Sequence, residues 1–236
     1  MHTQGNADGA SVFYRKCLEM NTAHADCLCA YALLNLEQKN LNGAEMLYRN
    51  AYERHDTDPA VCFNFAAFLH VYCPDRHEEA MNLYKHCSSL DKNFTMALYN
   101  MAHLLYTRSD WVGCLQCYEK ILQIDETHIE ARLNAAGLYS VLYRDFEKAR
   151  RYYSMALDHA PTHPLGLYHY SQMLIDLEES EEAVSSLKKL VEAHPDHSWG
   201  IASLAENMSQ ARDPSADSLW ERALSINQSS STLYIG

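Results

Sequence analysis

Residues 80–87 read AMNLYKHC, and this order of a small residue, a large residue four positions later and an apolar or small residue seven positions later recurs along the chain. Positions i, i+4 and i+7 fall on one face of an α-helix. The first members of the seven copies are Ala10, Ala44, Ala80, Cys114, Ala149, Ala183 and Ala216. Consecutive copies begin 34, 36, 34, 35, 34 and 33 residues apart. The sequence therefore predicts one amphipathic helix repeated about every 34 residues.

A second helical stripe lies between these copies. Its small members are Ala32, Ala66, Ala102, Ala136, Ser171 and Ala205. The residues four positions earlier are Leu28, Cys62, Leu98, Arg132, Leu167 and Ile201, and the residues three positions later are Asn35, Leu69, Leu105, Tyr139, Leu174 and Met208. Each unit is thus predicted to be a helical hairpin. A single hairpin cannot bury its apolar face alone, so neighbouring hairpins must stack into a solenoid.

The period, the Ala/Tyr/Ala stripe and the proline near the end of some units, as at Pro161 and Pro195, resemble the tetratricopeptide repeat family over residues 10–228. The resemblance implies an all-α, right-handed superhelical solenoid of about six to seven antiparallel helix-pair repeats. Two features depart from the family pattern. The Trp often found early in the first helix is absent, and Ala or Ser replaces the Gly at the small position of that helix.

The repeat frame gives the domain boundaries. We expect a leader with a lone second helix at 1–24, repeats at 25–58, 59–94, 95–128, 129–163, 164–196 and 197–228, and a truncated helix or tail at 229–236. The repeat at 59–94 carries two extra residues, and Pro74 should end its first helix. Neither end shows a polar capping helix. A piece of a longer solenoid, or ends that pack on a partner, would explain this, and a self-capped short protein is the alternative.

Composition narrows the classes of partner. The 236-residue chain has a formal net charge of −12, which disfavours direct nucleic-acid binding. An acidic stretch at 176–182 could attract basic partners or simply be a solvated helix junction. The longest apolar runs fall short of the ~18 residues that span a bilayer, and the polar start does not resemble a signal peptide. We therefore expect no membrane insertion, a cytoplasmic location and reduced cysteines that act as small buried residues.

The family resemblance also suggests where a partner would bind, because the first helices line the concave groove in such proteins. The column two positions before the small residue includes Asn64, Asn100 and Asn134, whose amides could form a ladder on a peptide backbone. They could equally bond to neighbouring helices. The predicted groove consists of Phe63, Asn64, Tyr99, Asn100, His103, Tyr106, Leu133, Asn134, Tyr168 and His169. Exposed aromatic side chains are typical of protein contacts, although these could instead pack between helices.

Motifs for catalysis, metal ions or cofactors do not emerge. The pair Cys114 and Cys117 has half-site spacing but occupies packing positions, and Cys27 and Cys29 are interpreted in the same way. A phosphate-binding loop and a nucleophile elbow are absent from the sequence. The groove positions that accompany Asn64 also lack the Lys and Arg residues with which related co-chaperones bind a carboxylate. We expect no catalytic residues, no metal, no cofactor and no enzyme activity.

The predicted function is a scaffold or adaptor in a multiprotein complex that holds a peptide segment or helix of another protein. Alternatives are a structural spacer held by its ends and convex face, and a regulatory region of a longer enzyme. A further alternative is a scaffold with half-a-tetratricopeptide repeats of the RNA-processing type, which residues 219–224 resemble. Self-association through uncapped ends is also possible.

Overall fold

A computed structural model describes the backbone of residues 4–232 and the side chains of residues 9–226. Within these residues the regular structure is helical, which confirms the predicted all-α class. The α-helices are α1 (Gln4–Met20), α2 (Ala25–Glu37), α3 (Leu41–Arg54), α4 (Pro59–Tyr72), α5 (His77–Leu90), α6 (Thr95–Thr107), α7 (Trp111–Ile124), α8 (Ile129–Leu138), α9 (Phe146–His159), α10 (Pro164–Asp176), α11 (Ser180–Ala193), α12 (Ser198–Gln210) and α13 (Ala216–Thr232). The predicted leader at 1–24 and tail at 229–236 both lie partly outside the described residues.

The helices pack as consecutive hairpins, and the chain divides into two compact units, residues 1–124 and 125–236. In the first unit the close pairs are α2 with α3, α4 with α5 and α6 with α7. In the second unit they are α8 with α9, α10 with α11 and α12 with α13. In every pair an even-numbered first helix is followed by an odd-numbered second helix.

Small and large buried residues alternate in the core as the repeat pattern requires. Ala44 and Ala80 on the second helices are fully buried, as are Ala32 and Ala66 on the first helices. Because these positions carry only a methyl group, the two helices of a hairpin approach closely. Tyr84 then fills the space beside them and is also fully buried. Burial of one such large side chain stabilises the fold by about 1.5–3 kcal/mol.

The turn inside most hairpins is closed by a residue in the left-handed region. Lys39, Ser109, Arg144, Glu178 and Arg212 have φ between 53° and 61°. Each follows a first helix, where an αL residue satisfies the last helical carbonyls. The hairpin of α4 and α5 differs, because its loop is two residues longer and contains a 3-10 turn at Pro74–Arg76. Helix α4 ends at Tyr72, as Pro74 requires. In the hairpin of α8 and α9, a π-helical turn at Tyr139–Tyr143 extends α8.

Histidines cap several first helices. The Nδ1 atoms of His24, His128, His163 and His197 accept hydrogen bonds from the backbone N–H three residues later. A neutral imidazole nitrogen thereby does the work of the Ser, Thr, Asp or Asn usually found at this position. These histidines are spaced at about the repeat period, so they belong to the frame of the fold.

One expectation about the cysteines is wrong. Cys17 at the end of α1 and Cys27 in the first turn of α2 form a disulfide. We expected all eight cysteines to be reduced packing residues, which holds for the free thiols of Cys29, Cys62, Cys73, Cys87, Cys114 and Cys117. The physical reason is the position of the two cysteines within the repeat. Leu190 and Gly200 have the same separation of ten residues and touch at the corresponding junction, so Cys17 and Cys27 are brought together.

Candidate partner-binding surface

The first helices of the first unit lie side by side. Helix α2 contacts α4, and α4 contacts α6, whereas the second helices α3, α5 and α7 approach one another less closely. A layer whose helices converge on one side faces the inside of the curve. The exposed side of α2, α4 and α6 is therefore the inner face of this unit, as the family resemblance implied.

Charge is distributed unevenly between the two layers. Neither α4 nor α6 contains an Asp, Glu, Lys or Arg, although charged residues make up 21% of the chain. The neighbouring second helices carry the charge, and Arg76, which precedes α5, forms ion pairs with Glu45 and Glu79. The inner face of α4 and α6 is thus built from aromatic, amide, imidazole and aliphatic groups. We call it the α4–α6 surface and define it by Phe63, Asn64, His70, Tyr99, Asn100, His103 and Tyr106.

The aromatic residues of this surface differ in accessibility. Tyr106 is 55% exposed, and its ring stands edge-on to Trp111 with centroids 4.9 Å apart. Tyr99 is half-buried and packs against Tyr118. The ring of Phe63 lies between two others, with centroids 5.2 Å from Phe94 and 5.9 Å from Tyr84. Phe63 therefore serves mainly as an interhelical contact, while Tyr106 offers its ring to solvent.

Two imidazoles meet at the centre of the surface. Nε2 of His70 lies 3.1 Å from Nδ1 of His103, and Nδ1 of His70 lies 3.4 Å from the hydroxyl of Tyr84. His77 on α5 places its Nε2 3.0 Å from the carbonyl oxygen of His70. Burial, with smaller contributions from His103 and His77, lowers the pKa of His70 to about 4. His70 is therefore neutral near pH 7 and able to donate and accept hydrogen bonds.

The predicted asparagine ladder is partly engaged within the protein. Nδ2 of Asn100 donates to the hydroxyl of Tyr84 at 3.2 Å. The amide of Asn64 lies beside the thiol of Cys29 of the preceding repeat and partly offsets the rise in the pKa of that thiol that burial causes. An amide has two N–H donors and an oxygen with two lone pairs, so each side chain keeps capacity for a ligand. The structure thus places Asn64 and Asn100 on the same inner face and ties both to neighbouring helices.

The remaining predicted residues belong to the second unit. Asn134 and His169 are exposed, and Tyr168 is half-buried with its ring centroid 5.7 Å from that of His197. Leu133 is only 7% exposed, and a methyl group added at Gly166 would meet its side chain at 3.2 Å. Leu133 therefore packs between helices and is not accessible to a partner. The expectation of an exposed leucine here fails because α10 approaches α8 closely at Gly166.

Sequence reasoning left three accessible residues out of the site. His70 stands one turn after the small residue Ala66, in the column that supplies Tyr106 two helices later, and that periodicity could have identified it. In the second unit, Leu165 and Trp199 are 56% and 73% exposed and occupy the second position of α10 and α12. Their shared position near the start of a first helix is the signal that was available.

The helices of the described residues are neither long nor apolar enough to cross a membrane. Among the described residues, Cys17, His24 and Cys27 bring three possible metal-binding side chains together, far in sequence from the α4–α6 surface.

Residues 166–197 match the family model described as the tetratricopeptide repeat, and they span α10, α11 and the turn before α12. The chain is an all-α helical-repeat protein, and its residues 166–197 are similar to a tetratricopeptide repeat. The chain also resembles solved structures of tetratricopeptide repeat proteins, which show the same fold over most of its length. No curated protein matches it by sequence.

Three of these structures show the extent of the likeness. The C-terminal part of a tetratricopeptide repeat-containing protein from Cytophaga hutchinsonii has a TM-score of 0.73 and 14% identity, with 94% of this chain and 91% of that chain covered. The Pseudomonas aeruginosa protein pilF has a TM-score of 0.71 and 23% identity, covering 86% and 91%. YrrB, described as having an unusual peptide-binding site, has a TM-score of 0.64 and 17% identity, covering 80% and 96%.

Proposed function

We propose that this tetratricopeptide chain is a non-catalytic adaptor that binds a weakly charged segment of another protein on the α4–α6 surface. The observation that carries the proposal is the complete lack of Asp, Glu, Lys and Arg in α4 and α6, although these residues make up 21% of the chain. A solvated helix face is usually lined with Lys, Glu, Arg or Asp, and partner-binding surfaces are depleted in Lys, Glu and Asp and enriched in aromatic residues.

The side chains suit an extended peptide. Tyr106 and Tyr99 supply flat apolar area with a hydroxyl at the edge, which favours binding at low entropic cost. Asn64 and Asn100 would use their remaining amide capacity on the peptide backbone, and His103 would supply a further polar contact. Tetratricopeptide repeats are generally a protein-interaction fold, and the similar structure of YrrB has a peptide-binding site. Both facts support the adaptor role within a larger complex.

The second unit would contribute in the same manner through its own first helices. Asn134 occupies the position in its repeat that Asn64 and Asn100 occupy in theirs, and Tyr168 and His169 occupy the positions of Tyr99 and Asn100 two repeats later. We propose that these three residues form a separate contact surface within the second unit. Leu133 has no such role because it is buried.

A peptide selection followed by affinity measurement tests the proposal. Peptides of about 12–16 residues are selected from a random display library against the full chain, and their affinity is measured by calorimetry. Replacing both Tyr99 and Tyr106 by Ala should weaken binding by at least about tenfold. The matched control replaces Met46 and Lys85 by Ala. Both residues are exposed on the second helices, and this variant should change affinity less than twofold. Equal losses in both variants, or none in either, would favour the spacer role instead.

A further inference from the structure

A second candidate site lies where α1 meets α2, away from the proposed partner surface. It is formed by Cys17 near the end of α1, His24 at the N-cap of α2 and Cys27 in the first turn of α2. One ligand atom from each residue lies within 4.8 Å of the other two. We propose that, when the two thiols are reduced, these three side chains bind a thiophilic d¹⁰ cation, with Zn²⁺ as the best match.

The donor set defines the class of metal. Two thiolates and one imidazole suit Zn²⁺ or Cu⁺, whereas Mg²⁺ and Ca²⁺ prefer oxygen ligands. Three protein ligands leave a fourth tetrahedral position for water. That position is accessible because His24 is exposed and Cys17 is only partly buried.

The backbone spacing agrees with a metal between the two sulfurs. The Cα atoms of Cys17 and Cys27 are 6.8 Å apart, at the upper end of the range of about 4.4–6.8 Å that disulfides span. In a tetrahedral zinc site the two sulfurs are separated by about 3.8 Å, because each Zn–S bond is about 2.3 Å long. A wide pair of backbones accommodates that larger separation with small side-chain rotations.

The loop that presents His24 is held in place before any metal binds. The backbone N–H of Asn21 donates to the carbonyl of Cys17 at 2.9 Å, and the N–H of His24 donates to the carbonyl of Asn21 at 3.2 Å. The carbonyl of Ala23 contacts the imidazole of His55 at the end of α3. The loop is therefore ordered before a cation binds, which lowers the cost of assembling the site. Nδ1 of His24 accepts a hydrogen bond from the backbone N–H of Cys27. Because a neutral imidazole has a single unprotonated nitrogen, the metal–nitrogen bond would take the place of this hydrogen bond.

A thiol or phosphine reductant supplies two electrons to the Cys17–Cys27 disulfide, and two protons from solvent complete the two thiols. Binding of the cation then releases those two thiol protons to solvent and forms two metal–sulfur bonds and one metal–nitrogen bond. The disulfide and the metal complex are therefore mutually exclusive ways of joining α1 to α2.

Cobalt titration of the full chain, reduced with a phosphine under anaerobic conditions, tests the proposal. Co²⁺ replaces Zn²⁺ in such sites, and a thiolate–cobalt charge-transfer absorption reports sulfur ligation directly. The expected result is one equivalent of Co²⁺ bound with this absorption and displaced by Zn²⁺. Cys17→Ser should abolish the absorption. His24→Asn, which keeps an N-cap acceptor and removes the imidazole, should weaken binding by at least about tenfold.

The control is Cys73→Ser, because Cys73 is a partly buried free thiol outside the cluster and its loss should leave the titration unchanged. Circular dichroism confirms that each variant remains helical before it is titrated. The proposal is overturned if the reduced, folded chain gives no charge-transfer absorption, if the absorption persists in Cys17→Ser, or if His24→Asn binds cobalt as tightly as the unchanged chain.

Discussion

His70 on α4 and His103 on α6 share a hydrogen bond, with 3.1 Å between Nε2 of the first and Nδ1 of the second. The hydroxyl of Tyr84 on α5 contacts the other ring nitrogen of His70 and accepts a hydrogen bond from Asn100. Four side chains from three helices are thereby joined in one polar network, in which the buried Tyr84 connects three residues of the α4–α6 surface. Networks of this kind stabilise and orient the groups at their edge, here His103 and Asn100.

Acid should destabilise the protein through His70. The group binds a proton near pH 6.5 when unfolded but only near its folded pKa of about 4, because burial and the two neighbouring histidines, His103 and His77, disfavour the charge. The contribution that neutral His70 makes to stability is therefore fully present above about pH 6.5 and is lost as the pH falls toward about 4. The expected loss is about 1–2 kcal/mol, after allowance for solvent screening of a partly exposed ring. Urea unfolding at about pH 7.5 and about pH 4.5 measures it.

The control for this prediction is His70→Gln, which removes the titrating group and keeps hydrogen-bonding capacity. The variant should lose less stability between the two pH values than the unchanged chain does. An identical pH dependence in both proteins would show that other groups are responsible.

Removing the hydroxyl of Tyr84 should be costly. Tyr84 is fully buried, and Tyr84→Phe would leave Nδ1 of His70 and Nδ2 of Asn100 without this partner. We expect a loss of about 1–2 kcal/mol in the free energy of unfolding, measured by chemical denaturation. Tyr48 fills the same position one repeat earlier, where Leu36 stands in the place of His70. Tyr48→Phe should therefore change stability by less than about 0.5 kcal/mol, and equal losses would argue against the network.

Two glycines should respond in opposite ways to alanine. At Gly137 in α8 an added methyl group would meet only the hydroxyl of Tyr153, at 3.6 Å, so the higher helix propensity of Ala should stabilise by about 0.5–1 kcal/mol. At Gly200 in α12 the methyl group would lie 2.6 Å from Cδ2 of Leu190, which is fully buried. Overpacking costs about 1–3 kcal/mol, more than the gain in propensity.

Thermal unfolding of the two variants measures this difference. The midpoint should rise by about 2–4 °C per kcal/mol for Gly137→Ala and should fall for Gly200→Ala. A rise for both variants would mean that Leu190 moves aside easily, and that the junction between α11 and α12 is less tightly packed than the structure indicates.

Partner binding should depend only weakly on salt. Helices α4 and α6 contain no charged residues, so a peptide held on their inner face gains little from ion pairs. We expect the affinity of a selected peptide to change by less than about threefold between about 50 mM and about 500 mM NaCl. Calorimetry at the two salt concentrations measures this. A steep fall with salt would locate binding on a charged face of the second helices instead.

The sequence predicts the architecture well because one set of interactions is repeated. Small residues such as Ala44 and Ala80 and large ones such as Tyr84 recur at fixed positions of successive repeats. A repeat with a weak pattern can therefore be aligned from its neighbours. The site is harder to predict, because adjacent positions on one helix can face different neighbouring helices. Phe63 and Leu133 share a column, and both turn out to pack between helices. The Cys17–Cys27 pair does not follow from the pattern of either helix alone, because it lies at the junction between two helices, where Leu190 and Gly200 meet at the corresponding place of a later repeat.

The most direct test of the central claim is site-specific photo-crosslinking with a selected peptide. A photoreactive phenylalanine analogue is placed at Tyr106 on α6, which is 55% exposed, or at Met46 on α3, which is 74% exposed. Both positions are accessible, and they differ in the layer to which they belong. If the α4–α6 surface binds the partner segment, the peptide should crosslink at position 106 and not at position 46. Crosslinking at position 46 alone, or at neither position, would contradict the account.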